Sequence, residues 1–212
     1  MDILEQLSQA VIEGNCSDAP QLAQEALDAE HKAPVVMQAL VQAMDTVGEE
    51  WRVGNMFIPE VLLAAKTMHN AMEVLRPLLS AAETHLRGSV VIGTVQGDLH
   101  DIGKSLVAMM IESAGFQVFD LGVDVSATDF VEAVKKHRPN IVGMSALLTT
   151  TLPYMRDTIR SLEEAGVRDS VKVMIGGAPV TPEFAESIGA DGYAPDGASA
   201  VTKARELVGR AH

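Results

Sequence analysis

Four things are scarce in this chain of 212 residues, and each scarcity removes a class of function. There is one cysteine, Cys16, so neither a disulfide framework nor a thiolate zinc site can be built within one chain. A small buried or half-buried thiol is the expected role for it. Basic residues are outnumbered: the formal net charge is -13, and no run of five or more Lys or Arg occurs. Nucleic acid and anionic membrane surfaces, which both need clustered positive charge, are thereby disfavoured as partners. No apolar stretch approaches the roughly 18 uninterrupted residues of a membrane span. The opening residues, MDILEQLSQAVIEGN, lack the basic start and apolar run of a signal peptide, which leaves a cytoplasmic protein as the expectation. What is abundant is apolar surface, at 47% of residues, enough for a packed core.

The two halves carry different periodicities. Residues 1–87 show helix signals only. Leu4, Leu7, Val11 and Ile12 share one helical face. Asp18 and Pro20 can open a second helix, running to about Ala29. A third begins near Pro34 with Val36, Leu40, Met44 and Val47 on one side, and Gly54 ends it. Pro59 opens a fourth with Val61, Leu62, Ala65, Met68, Met72 and Leu75 inward, and Pro77 is placed to kink or divide it. Four helices with short connections predict an antiparallel bundle.

Residues 88–212 alternate short apolar runs with helical patterns. Strands are expected at Val90–Thr94, Gln117–Leu121, Ile141–Ser145, Val171–Ile175 and Gly192–Ala194. Helices are expected near Lys104–Ala114, Ala127–His137, Tyr154–Ala165, Pro182–Ile188 and Ala198–Val208. The alternation predicts an α/β domain: a five-stranded parallel sheet, Rossmann-like or flavodoxin-like, with helices on both faces. Such sheets bind ligands beyond the carboxyl ends of their strands.

Three loops at that edge stand out. After the first strand comes Gly97-Asp98-Leu99-His100-Asp101-Ile102-Gly103-Lys104. Asp98 two residues before His100 can hold the imidazole for a ligand by accepting its other N–H. It can equally be a helix cap beside a surface histidine. The loop after the third strand, Ser145-Ala146-Leu147-Leu148-Thr149-Thr150-Thr151, offers hydroxyls for a polar ligand or an ordinary helix start. Gly176-Gly177, after the fourth, leaves room for something flat against backbone, or makes a tight turn. No second histidine stands at metal-ligand spacing from His100; His31, His69, His85, His137 and His212 read as surface residues.

Taken together, Asp98, His100 and Gly103, then Ser145 and Leu147, then Gly176 and Gly177 resemble the Asp-x-His-x-x-Gly, Ser-x-Leu, Gly-Gly pattern of the cobalamin-binding module of methionine synthase. The same pattern marks the corrinoid proteins of the methylamine, methanol and aryl-ether methyltransferase systems. The helical half adds Val47-Gly48-Glu49-Glu50-Trp51 and Gly54-Asn55-Met56-Phe57-Ile58-Pro59-Glu60, similar to the cap that precedes this module in methyl-transferring members.

The resemblance implies a cobalamin or related corrinoid bound with its own lower base displaced, His100 ligating cobalt from below and Asp98 bonded to the other imidazole nitrogen. It implies a nucleotide tail running into the sheet past Gly103, Ser145, Leu147, Gly176 and Gly177, with Thr149 toward the corrin and Tyr193, Asp196 and Gly197 at the tail's end. Trp51 and Ile58 are the cap positions over the upper face. In methionine synthase a serine extends the Asp–His pair; the matching position here is Thr151, whose methyl group restricts its rotamers, so the relay is in question. The implied function is a methyl carrier without turnover of its own. It would accept a methyl group from a substrate-specific methyltransferase and deliver it to a second one with a folate or thiol acceptor, a corrinoid reactivation protein being a further implied partner. Movement of the cap would hinge at Arg87-Gly88. The alternative reading is a cobalamin-dependent sensor. A mutase subunit lacks such a cap, and a phosphate-binding domain would need a different glycine pattern.

Overall fold

In a computed structural model, residues 2–79 and 87–209 are described. The chain divides into two compact units, Met1–Leu86 with Ser113–Gly115, and Arg87–Glu112 with Phe116–His212.

The helical unit contains α1 (Ile3–Ile12), α2 (Ala19–Asp28), α3 (Ala33–Arg52) and α4 (Ile58–Leu75). Asp2 and Glu5 close a reciprocal cap on α1: the Asp2 carboxylate accepts the Ile3 N–H at 2.7 Å, and Glu5 accepts the Asp2 N–H at 3.0 Å. Pro20, Pro34 and Pro59 all sit in first turns, where the missing N–H costs nothing. Asp18 precedes α2 as expected but makes no side-chain cap. Most of the expected inward positions are buried, Leu7, Val11, Val36, Leu40, Met44, Val47, Val61, Ala65, Met68, Met72 and Leu75 forming the core, while Leu4, Ile12 and Leu62 are half-buried. Three alanines of α2, Ala19, Ala23 and Ala26, are fully buried, and α2 packs on both α4 and α1. The predicted break at Pro77 is real: α4 stops at Leu75, and Pro77 lies in a 3-10 turn, Arg76–Leu78. Cys16 is half-buried, its Sγ 3.1 Å from the Thr67 hydroxyl.

The second unit runs β1 (Ser89–Thr94), α5 (Ile102–Ser113), β2 (Gln117–Asp120), α6 (Ala127–His137), β3 (Ile141–Ser145), α7 (Leu152–Glu164), β4 (Lys172–Gly176), α8 (Pro182–Ser187), β5 (Gly192–Ala194) and α9 (Gly197–Gly209). All pairings are parallel and the order is β2-β1-β3-β4-β5, the flavodoxin-like arrangement. The central strands β1, β3 and β4 are apolar and buried nearly throughout, as strands covered on both faces must be. Val91, Val142, Val173 and Ile175 pack with Phe130, Met155, Ile159 and Leu162, each large side chain contributing about 1.5–3 kcal/mol by burial. Gly88, half of the expected hinge, is held within this unit: its carbonyl accepts the Gln117 N–H, and its φ is +113° with Asn140 filling the space a Cβ would take. Of the histidines expected at the surface, His69 is exposed, but His137 is half-buried because it stacks on Phe119 at 3.9 Å, and His31 is also half-buried. His85 and His212 lie outside the described residues.

The sheet order has one consequence for function. From β1 the chain goes outward to β2 and then crosses back to β3, so connections leave β1 and β3 in opposite directions. Ligand crevices form at such a reversal, beyond the carboxyl ends of the strands. Thr94, Ser145, Gly176 and Ala194 lie in one row across the last residues of β1, β3, β4 and β5.

Candidate functional site

Both strands flanking this reversal end in irregular segments, and one carboxylate ties the two together. Asp98, on the β1–α5 loop, is fully buried and accepts from five donors. Its Oδ1 accepts the His100 N–H at 3.1 Å and faces the His100 Nδ1 at 2.7 Å. Its Oδ2 accepts the N–H groups of Leu147 and Leu148, at 2.7 and 3.1 Å, and the Thr151 hydroxyl at 2.9 Å. Burial alone raises the Asp98 carboxyl. The Leu147 N–H, the His100 ring and N–H and the Thr151 hydroxyl outweigh it and hold the group well below the usual carboxylate range.

That charge state fixes the imidazole. An ionised carboxylate can only accept, so the Nδ1 of neutral His100 carries the proton and its Nε2 carries the lone pair. The ring is half exposed, and among the described residues Nε2 has no hydrogen-bond partner. Asp98 is not a helix cap: α5 begins at Ile102, and Asp101 occupies the position before it. Nor does Thr151 act as a plain helix start. It stands at the N-cap of α7 without capping it, its hydroxyl lying between Asp98 Oδ2 and the Leu148 carbonyl, 2.8 Å away. The pair is therefore extended by a threonine hydroxyl: Thr151 is buried, and its hydroxyl meets the carboxylate.

Next to His100 and after β3, aliphatic side chains stand exposed among the exposed polar residues Asp101, Thr149 and Thr150. Leu99 is 71% exposed, Ile102 89%, Leu147 44% and Leu148 41%. Three of these aliphatic side chains lie on the two loops joined through Asp98 and the fourth, Ile102, at the first residue of α5. Leu99, Ile102 and Leu148 escaped the sequence reading as candidates, because a lone aliphatic residue in a loop carries no pattern. Asp124 also escaped it. It accepts the Gly97 N–H at 2.7 Å, and the signal for it, an Asp two residues after Gly122 in a turn, is weak.

The remaining candidates are placed as follows. Ser145 is half-buried at the end of β3, and Thr149 is exposed beyond it. Gly103, the second residue of α5, has open space where a Cβ would be. Gly176 and Gly177 do not: a Cβ on Gly176 would lie 2.6 Å from the Ala194 carbonyl oxygen, and one on Gly177, at φ +125°, 1.9 Å from that of Ala146. Protein backbone fills the room beside these two glycines, so the chain itself requires them. Tyr193 is half-buried on β5; Asp196 caps α9 by accepting the Ser199 N–H at 2.8 Å, and Gly197 is buried at its start. In the helical unit Trp51 is half-buried in the last turn of α3, and Ile58, at the start of α4, is 48% exposed beside Phe57 at 68%. Among the described residues no group of three or more His, Cys, Asp or Glu could hold a metal ion, and no helix is long and apolar enough to cross a membrane.

Comparison with known proteins gives two family matches, both described as B12 binding domain, over residues 88–202 and 3–76. The chain is 43% identical to dimethylamine corrinoid protein 1 of Methanosarcina mazei, over 98% of this chain and 96% of that one. Among solved structures, a cobalamin-binding protein from Desulfitobacterium hafniense superposes with a TM-score of 0.80 at 35% identity, covering 98% of this chain and 99% of that one. A chain of the methanol:cobalamin methyltransferase complex from Methanosarcina barkeri superposes with a TM-score of 0.84 at 28% identity, over 97% of this chain and 84% of that one.

Proposed function

Because the chain belongs to the corrinoid proteins with B12 binding domains, we propose that it holds a corrinoid through His100 and carries a methyl group between two methyltransferases. The observation that carries this is the Asp98 cluster, a buried carboxylate whose five donors leave His100 with one outward nitrogen lone pair. A bare metal ion needs three or four protein ligands, which these loops lack. One imidazole suits a metal that brings its other ligands in a macrocycle, and the exposed Leu99, Ile102, Leu147 and Leu148 offer apolar contact to such a group.

When bound, the corrinoid supplies the cobalt that takes up and gives away the methyl group. The chain's own part is to bind, orient and adjust. His100 would hold the cobalt through Nε2, in place of the corrinoid's own base. Asp98 fixes the tautomer and raises ring basicity. Thr151 can donate its hydroxyl proton to Asp98 or turn it to the Leu148 carbonyl, so the cluster tolerates either protonation state of the carboxyl. The tail of the corrinoid would pass Gly103, Ser145, Leu147, Gly176 and Gly177 toward Tyr193, Asp196 and Gly197, with Thr149 on the corrin side. Trp51 and Ile58 are the residues the helical unit would offer to the corrinoid.

The names of the relatives favour a methylamine or methanol system over a regulatory module. The chain contains the carrier's chemistry, and the donor is selected by the loading enzyme. A dimethylamine methyltransferase is the first partner to try, with a thiol methyltransferase as the unloading one. The corrinoid-loaded, reduced protein should change its absorption spectrum on addition of dimethylamine only when that methyltransferase is present. A methyltransferase panel for methylamines, methanol and methoxylated aromatics that produced no spectral change with any donor would refute the carrier role.

A further inference from the structure

The His100 loop has no regular structure of its own between β1 and α5, yet an axial ligand has to be aimed within a fraction of an ångström. Asp98 holds the ring on one side. What holds the loop itself is the neighbouring turn after β2, in which neither the motif nor the resemblance singles out any residue. This turn is pinned to β1 by three backbone hydrogen bonds: Leu121 N–H to the Ile92 carbonyl, Thr94 N–H to that of Gly122, and Val125 N–H to that of Thr94, at 2.8 to 3.0 Å. From that anchored base it reaches the His100 loop on both flanks.

Before His100, Asp124 makes two contacts. Its Oδ1 accepts the Gly97 N–H at 2.7 Å, and its own N–H donates to the Asp98 carbonyl at 3.0 Å. To do so it adopts a left-handed backbone, φ +54°, a conformation Asp and Asn tolerate better than other side chains. After His100, Asp120 at the end of β2 pairs with Lys104, whose ammonium also binds Asp101 at 2.9 Å. Lys104 is only 1% exposed at its side chain, and a lysine buried this far is held there by its two carboxylates. Asp101 directly follows His100, so the lysine bolts the far end of the loop to the same turn.

We propose that the turn from Asp120 to Asp124, acting through Asp124 and the Asp120–Lys104–Asp101 chain, sets the aim of His100 toward the metal. Asp124 and Lys104 are positioning residues. The inference rests on the His100 reading above. Partners of a metal-binding histidine that lie beyond the ligand itself typically change affinity 10- to 100-fold when removed, and these act one step further out, on the backbone that carries the histidine.

The test uses the full-length chain labelled with nitrogen-15, loaded with hydroxocobalamin and reduced to cobalt(II). A protein nitrogen on cobalt then splits the electron paramagnetic signal into doublets, whereas the corrinoid's own nitrogen-14 base gives triplets. The quantity read is the pH at which acid displaces the protein nitrogen. Asp124→Gly accepts the left-handed backbone without strain and leaves Gly97, which is exposed, to water, so the fold is kept. It should retain corrinoid and lose the doublet at a pH higher by about one unit, a 10-fold weaker ligation. Asp124→Asn, which keeps both the backbone conformation and an accepting oxygen, should restore the wild-type value. Lys104→Met should shift the same way as Asp124→Gly. A wild-type doublet with an unshifted midpoint in Asp124→Gly, or failure of Asp124→Asn to restore it, would overturn the positioning role alone. No doublet in the wild type would overturn the His100 reading and this inference with it.

Discussion

Replacing Asp98 by Asn changes one atom and tests the cluster at its centre. The five donors around Asp98 are divided, two on Oδ1 and three on Oδ2. An amide has one accepting oxygen. Placed on the Oδ1 side, it would turn its NH2 toward the N–H groups of Leu147 and Leu148 and orphan both. Placed on the Oδ2 side, it keeps Leu147, Leu148 and Thr151 and orphans only the His100 N–H, so this orientation wins. The His100 N–H is only partly buried, so losing its partner costs about 1 kcal/mol, and loss of the charge from the other bonds adds about 1 kcal/mol, for about 2 kcal/mol in all. The ring responds as well. Facing an NH2 donor, Nδ1 must accept, which moves the imidazole proton to Nε2 and removes the lone pair the metal needs. Urea denaturation of the corrinoid-free protein at pH 7 reads the stability, and the absorption spectrum after loading with hydroxocobalamin reads the ligation. Both should fall. An unchanged urea midpoint would refute the account of the donors, and lowered stability with wild-type ligation would refute the tautomer argument.

Three further outcomes follow from the same geometry. Asp98 titrates lower in the folded chain than in the unfolded one, so its contribution is fully present above the unfolded value, about pH 4, and is lost as pH falls from there toward the folded value. The gap in urea midpoint between wild type and Asp98→Asn should therefore narrow below about pH 4. Thr151→Val removes one of three donors on Oδ2 and should cost about 1–2 kcal/mol by denaturation, while Thr151→Ser restores most of it. The two kinds of motif glycine should separate. Gly177→Ala meets the Ala146 carbonyl and a disallowed φ, costing at least about 3 kcal/mol or preventing folding. Gly103→Ala meets open space in a helix and should be neutral or stabilising by up to about 1 kcal/mol; corrinoid retention on desalting should drop if the tail passes there.

Much of this molecule was legible in the sequence because its signals are periodic or positional. Prolines at helix starts, buried runs such as Ile141–Ser145 and the heptad-like spacing of Val36, Leu40, Met44 and Val47 fix element type with little competition from tertiary context. The Asp98–His100 pair was legible for another reason: two residues apart on one loop, they have to meet. Thr151 was named only through the resemblance; the residues alone could not link it to Asp98, because that contact depends on β1 and β3 being neighbours. Gly176 and Gly177 were legible as a pair, but the sequence could not show that backbone approach by itself demands glycine there, which the positions of Ala146 and Ala194 do. Asp124 and Lys104 were out of reach, since their roles consist entirely of partners in other loops.

The most direct measurement is the absorption spectrum of the purified protein after incubation with hydroxocobalamin and desalting, beside that of His100→Ala. The account predicts retained corrinoid with a displaced-base, histidine-ligated spectrum in the wild type, and loss of that ligation in His100→Ala. Identical spectra from the two proteins would contradict it.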